Sequence, residues 1–342
     1  MDNTASLKIL YIGTLDKSGN CYRRFQTLQS MGHRVHGLDT DPFILGNIFT
    51  KFHFHLNVGP GIHQLNKAVW EAVQKQQPEI IWVDNKSYLQ AGLLKKIRSK
   101  YPSTKIISLL TDDPVGRKWR LYLNTAPYFD VHFVQRRINI PELKARGAKR
   151  VEVCYRSFDP LFHRPLLLSA AEHERFDAEV GFVGTHESYR EDWIVYLMDN
   201  GIKVWVTGND WENARNWEKI KPFYKGRSVY GEDYIKTING MDIALHFLRH
   251  VNRDEQDSRT FEIPACGAFM LGETSELHLD LFKNGEEAVF VNSKEEMLEK
   301  INYYLAHPEE RKAIAAAGLE RSINSGYDHR SRLTRVIEMI GS

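Results

Sequence analysis

The sequence predicts an α/β protein made of two Rossmann-like domains, with parallel sheets facing across a cleft. Three observations predict it. Short apolar runs alternate with amphipathic stretches of helical length, the pattern of βαβ units and parallel sheets. At 342 residues the chain is longer than one core usually fills, about 250–300 residues. Midway, a stretch with two prolines and then many charges, "SFDPLFHRPLLLSAAEHERFD" over 157–177, interrupts the alternation before it restarts.

Taken in order, "LKILYIG" (7–13) reads as a buried strand that ends on glycine, and "YRRFQTLQSMG" (22–32) as a helix with a glycine stop. "RVHGLD" (34–39) is the next strand, 62–78 a helix, and "EIIWVD" (79–84) a strand. A helix over 89–102 leads into the strand 105–113, and two more strands fall at 128–135 and 149–155. After the interruption come a strand at 178–185, a helix over 189–200 and strands at 203–210 and 227–231. A short helix at 232–240 and a strand at 241–248 follow. "SRTFEIPACG" opens a helix, "AFMLGE" and "EAVFV" are strands, and 293–326 holds two helices. The expected divisions are 1–165, 166–330 and a C-terminal helix over 331–342.

The net charge of +2 gives no support to a nucleic-acid or membrane surface, though basic groups could line a local cleft for phosphates. Three separated cysteines, Cys21, Cys154 and Cys266, offer no disulfide framework or zinc spacing. No apolar run approaches the ~18 residues of a membrane helix. These features lead us to expect a cytoplasmic protein without a bound metal or cofactor.

Open parallel sheets bind ligands at the carboxyl ends of their strands, so polar residues there become candidates. Gly13-Thr14 and Gly184-Thr185 each end a strand and turn toward a helix, where backbone N–H groups can hold an anion. A plain tight turn explains each equally well, and neither is a dinucleotide or P-loop motif. Asp112-Asp113 follows a central strand and could orient a hydroxyl nucleophile or take its proton. "DDP" also fits a helix start. Arg259 and Glu262 share one helical face if a helix starts near Ser258, suiting a diphosphate and a ribose; the alternative is a surface ion pair. His246 and His250 are four apart, but in a strand and loop rather than a helix, which argues against a metal site. Trp205, Trp211, Trp217 and the pair Tyr303-Tyr304 read mainly as packing, with Trp211 nearest the cleft.

The segments "TFEIPACGAFMLGETSELHLDLFKNGEEAVFV" (260–291) and "YYLAHPEERKAIAAAGLERS" (303–322) resemble the C-terminal half of GT-B glycosyltransferases. Within these the chain is most similar to the group resembling the spore-maturation protein CgeB. Glu262-x-x-Ala265-Cys266-Gly267 is the run shared with group 1 retaining enzymes, and "SFDPLFHRP" (157–165) resembles their hinge segment. The resemblance covers about 178–330 and becomes diffuse over 1–156. It implies a GT-B fold and transfer of a sugar from a nucleotide-sugar co-substrate to an acceptor hydroxyl, without metal and with retention. A dead nucleotide-binding relative and a nucleotide-sugar epimerase are the alternatives. Carried over residue by residue, Glu262 contacts the donor ribose and Arg259 or Arg190 the diphosphate. Ser258 and Thr260 accompany them, and Gly184, Thr185, Gly208 and Asn209 line the donor pocket. Asp254 occupies the first acidic position of the E-x7-E motif, one methylene shorter than usual. Asp112 and Asp113 fall near the transferred sugar, with Gly13 and Thr14 on the acceptor side. The acceptor itself is left open.

Overall fold

The computed structural model describes residues 6–44, 59–85 and 88–341. Each of two compact units carries a six-stranded, all-parallel sheet. This is the GT-B architecture of two Rossmann-like domains.

The first unit comprises Met1–Tyr155 and His329–Ser342. Its strands are β1 (Lys8–Gly13), β2 (Arg34–Asp39), β3 (Ile80–Asp84), β4 (Lys105–Leu109), β5 (Val131–Val134) and β6 (Val151–Val153), in the order β2-β1-β3-β4-β5-β6. β3 is buried along its whole length and β4 everywhere past its first residue, which is why they read as continuous apolar runs. Helix α1 (Asn20–Ser30) follows β1, α2 (Pro60–Gln76) precedes β3, and α3 (Ala91–Lys100) precedes β4.

The second unit, Arg156–Asp328, contains β7 (Ala178–Val183), β8 (Val204–Thr207), β9 (Tyr224–Gly226), β10 (Met241–His246), β11 (Met270–Glu273) and β12 (Val289–Val291). Their order is β12-β11-β10-β7-β8-β9. Helix α4 (Ser188–Asp199) follows β7, α5 (Glu232–Asn239) precedes β10, α6 (Ser258–Ala265) precedes β11, and α7 (Pro308–Asn324) packs on α6. The final helix, α8 (His329–Gly341), belongs to the first unit, where Leu333 and Val336 join a core with Ile9, Tyr11, Leu28 and Trp82.

Several expectations need correction. The strand expected at 227–231 is β9, three residues long and placed earlier: Val206 pairs Tyr224 and Thr207 pairs Gly226, where a φ of +116° turns the chain away. β4 stops at Leu109, and no helix starts at Asp112-Asp113-Pro114; the next helical turn begins at Arg117. Tyr304 is buried, but Tyr303 is 43% exposed and stacks on His307. Trp211 is fully buried and donates its indole N–H to the Gly184 carbonyl at 2.8 Å, so its place in the core leaves no face for a ligand.

Candidate functional site

The strand ends of the second unit gather most of the predicted donor-side residues. Gly184 and Gly208 are there for a backbone reason. A Cβ on Gly208 would lie 1.9 Å from the Gly184 carbonyl oxygen, an impossible contact, so β7 and β8 can close on each other only with glycine at 208. Hydrogen bonds complete the junction: Gly184 N–H to Thr207 O and His186 N–H to Asn209 O, both 2.9 Å. The Asn209 side chain accepts from Ser228 N–H at 3.1 Å, holding the next turn. Gly184, Thr185, Gly208 and Asn209 thus build the floor of the site.

Arg190 lies in the first turn of α4 and is almost wholly buried. Its guanidinium donates to the carbonyls of Thr185 (2.9 Å) and Phe247 (3.1 Å), and its Nε is buried without a hydrogen-bond partner among the described residues. Its nearest carboxylate, Glu187, is 4.0 Å away and is engaged by Arg249 at 2.6 Å. Burial first, and then the like charge of Arg259, hold Arg190 below the ordinary guanidinium pKa. It stays cationic regardless. An anion beside both arginines would offset both penalties. No side chain caps α4, so the positive end of its dipole is open at the same place.

α6 differs. Asp257 caps it, accepting from Arg259 N–H at 2.7 Å, while Thr260 Oγ accepts from Asp257 N–H at 3.1 Å. The α6 N-terminus thus already holds a carboxylate, which takes the Arg259 N–H. Arg259 contributes its guanidinium, 27% exposed, 3.4 Å from Asp257, with Nε buried and unpartnered among the described residues. Ser258 Oγ accepts from Arg156 at 3.4 Å. Burial opposes charge on Asp257, yet His246 at 3.0 Å and the two arginines keep its carboxyl well below the usual range.

Thr260 faces inward rather than toward a ligand. Its hydroxyl is 3.0 Å from His278 Nε2, and His278 Nδ1 lies 2.8 Å from the Glu273 carbonyl. A carbonyl can only accept, so Nδ1 carries the proton and the Thr260 hydroxyl donates to Nε2. Burial, then the charge of His246, lowers His278 to about 3.

Glu262 does not pair with Arg259 in a surface i,i+3 bridge. It is buried, accepts from the Tyr234 hydroxyl at 2.5 Å, and lies 3.6 Å from His163 Nε2. Burial and then the charge of Glu262 push the Tyr234 phenol up, keeping it a donor. His163 Nδ1 accepts from Asp159 N–H at 3.0 Å, which turns its other nitrogen to Glu262. Asp254 is half-buried, bonded by Asn252 at 2.9 Å, and sits on the loop before α6. His246 and His250 each face a carboxylate, Asp257 at 3.0 Å and Glu273 at 2.5 Å.

The remaining candidates lie in the first unit. Asp112 accepts from Asn85 at 3.1 Å, and Asp113 is buried and accepts from Asn139 at 2.8 Å. Gly13 ends β1 beside Asp84, and the Thr14 hydroxyl donates to Asp41 at 3.0 Å.

Residues 190–338 match the family model described as glycosyl transferase-like. No curated protein sequence matches the chain. Among solved structures it is similar to sucrose-phosphate synthase from Thermosynechococcus elongatus, at TM-score 0.68 and 10% identity, covering 97% of this chain and 98% of that one. A glycosyltransferase from Rickettsia africae gives 0.67 and 13%, covering 98% of each chain. HepE from Anabaena, in complex with UDP, gives 0.62 and 11%, covering 98% and 100%. Together, the matched domain and the shared fold support a glycosyltransferase. No helix of the described residues is long and apolar enough to cross a membrane.

Reasoning from sequence missed Asp257, Tyr234, His163 and the pairing of His186 with Glu191. Asp257-x-x-Thr260 ahead of an apolar run is a capping signal that could have identified the first. The others meet across gaps in sequence that no local period reveals.

Proposed function

We propose that the protein transfers a sugar from a nucleotide-sugar donor to an acceptor hydroxyl, and that the second unit holds the donor. The observation that carries this is the open N-terminus of α4, with Arg190 buried beside it, its Nε unpartnered among the described residues, and Arg259 near enough to repel it. Two cations and a helix dipole at strand carboxyl ends make a diphosphate site. As the glycosidic bond breaks, negative charge builds on the leaving diphosphate, and fixed guanidinium groups stabilise it. Glu262, held by Tyr234, has remaining lone pairs for ribose hydroxyls. Asp254 would serve the sugar, with the Gly184-Thr185 and Gly208-Asn209 turns lining the pocket. In the first unit, Asp112 and Asp113 would orient the acceptor hydroxyl, near Gly13 and Thr14. HepE has been solved with UDP and glucose and with UDP-glucose, which supports the donor class. A CgeB-like, metal-independent, retaining enzyme of the cytoplasm completes the reading. A trehalose-6-phosphate synthase of similar fold, studied for glycosyl transfer with retention, supports the stereochemistry.

Calorimetry with UDP and a transfer assay with UDP-glucose test this. Arg259→Ala should weaken UDP binding about tenfold to a hundredfold, the equivalent of ~1.5–3 kcal/mol for a charged hydrogen bond. Glu262→Ala should cut transfer at least as far while the protein stays folded. If both variants bound UDP and turned over like the parent, the site assignment would be wrong.

A further inference from the structure

His186 stands in the β7–α4 turn, two residues past Gly184, and nothing above gives it a role. Its Nε2 lies 2.8 Å from Glu191, a carboxylate with no exposure. The other oxygen of Glu191 accepts from both Asn216 N–H and Asn216 Nδ2, each at 2.8 Å. Burying a carboxylate is costly unless its oxygens are satisfied, and here three donors satisfy it. Those bonds hold Glu191 below the usual carboxyl range although burial pushes the other way. An ionised Glu191 can only accept, so Nε2 carries a proton, and the edge of Trp211, with ring centroids 5.1 Å apart, fixes the imidazole plane. The second nitrogen, Nδ1, has no hydrogen-bond partner among the described residues.

The other charged groups on the neighbouring segments are engaged elsewhere or exposed. Glu187, on the same turn, is held by Arg249; Glu212 beside Trp211 by Tyr224 and Arg227; and Arg215 by Asp192. Asp210 is exposed, and Arg190 turns toward Thr185 and Phe247. Of these groups, Glu191 is the one bonded to the imidazole.

We infer that His186 is a third phosphate-binding group of the donor site, and that it binds in the doubly protonated form, so that nucleoside diphosphate binding takes up a proton. This rests on the donor-site reading above. The turn bearing His186 is the one that α4 and Arg190 open onto. A neutral imidazole with its proton on Nε2 would present a lone pair to a phosphate oxygen and repel it. The imidazolium presents Nδ1–H, and Glu191 beneath compensates the added charge.

Calorimetry of UDP at pH 8, in buffers of different ionisation enthalpy, counts protons directly. The parent should take up close to one proton per UDP, and His186→Gln close to none. UMP, which lacks the β-phosphate, is the companion probe. The preference for UDP over UMP should fall about tenfold in His186→Gln, with UMP affinity held. Glu191→Gln should lower proton uptake while leaving the ring in place. A purely structural His186 would alter melting temperature and leave both proton uptake and the UDP/UMP ratio unmoved, which would overturn the inference. If UDP fails to bind the parent, or binds without regard to Arg190 and Arg259, the donor-site reading falls instead.

Discussion

The first βα turn of each unit carries an arginine from the helix that follows, and the two are used in opposite ways. In the first unit Arg24 donates twice to Asp84, both at 2.7 Å, and Asp84 also receives the Tyr11 hydroxyl and the Cys21 thiol. That carboxylate uses up the charge of the arginine. In the second unit Arg190 meets two carbonyls, and the nearest carboxylate is held by another arginine. Its charge remains available. The same architecture makes a structural brace in one unit and, in the other, leaves the arginine on carbonyls where we propose that an anion binds; the deciding residue is the one at the end of the neighbouring strand. β3 ends in Asp84, whereas the chain leaving β10 offers the Phe247 carbonyl.

The largest effect should come from breaking the brace. Asp84→Ala leaves Arg24 buried and unpaired, and should destabilise the protein by about 3–5 kcal/mol. Arg190→Ala loses only a 4.0 Å approach to Glu187, a carboxylate that Arg249 also holds, and should cost well under half of that, its loss appearing in UDP affinity. Denaturant unfolding of both variants, set beside calorimetry, measures the contrast. Equal loss of stability in the two would erase the distinction.

An effect smaller per pH unit is shared by the units. Each buries a neutral histidine: His132, lowered to about 4 by burial and bonded to Ser108 and Tyr122, and His278, lowered to about 3. The unfolded chain takes up protons near pH 6.5 and the folded one does not. Stability from these groups is therefore complete above pH 6.5 and is lost as the pH falls toward 4 and 3. Each should contribute on the order of 1.4 kcal/mol of slope per pH unit within its window. Melting temperatures between pH 7 and 4 should decline, less steeply in His278→Gln.

The smallest effect separates the two Gly-Thr turns. The Thr14 hydroxyl makes an exposed bond to Asp41, so Thr14→Ala should change stability by no more than ~0.5 kcal/mol. A large loss in chemical denaturation would assign Thr14 a structural role that its exposure does not suggest.

Much of the fold was legible in the sequence because strands buried on both faces write themselves as unbroken apolar runs. β3 and β4 show this, and β9 fails it: three half-buried residues at a sheet edge carry little pattern. The periodicity of α8 marks a face to be covered, but not which unit covers it. In the candidate site, Arg259 and Glu262 stood out through spacing and resemblance. Their partners did not, because Tyr234 reaches Glu262 from 28 residues away and Asn216 reaches Glu191 from 25. Those contacts exist only after the sheet has brought its loops together. Trp211 was read as packing and is packing, fully buried in the core; only its expected place at the cleft does not hold, because its indole turns inward onto Gly184.

The tail helix has a consequence for synthesis. Leu333 and Val336 seal a face of the first unit, yet they are made after the whole of the second. The later domain has its whole sequence before the earlier one does, so the nascent N-terminal half must wait with an apolar face uncovered. Stop codons placed just after Asp328 should yield an insoluble or chaperone-bound product, and grafting His329–Gly341 behind Tyr155 through a flexible spacer is the natural way to make that half soluble alone.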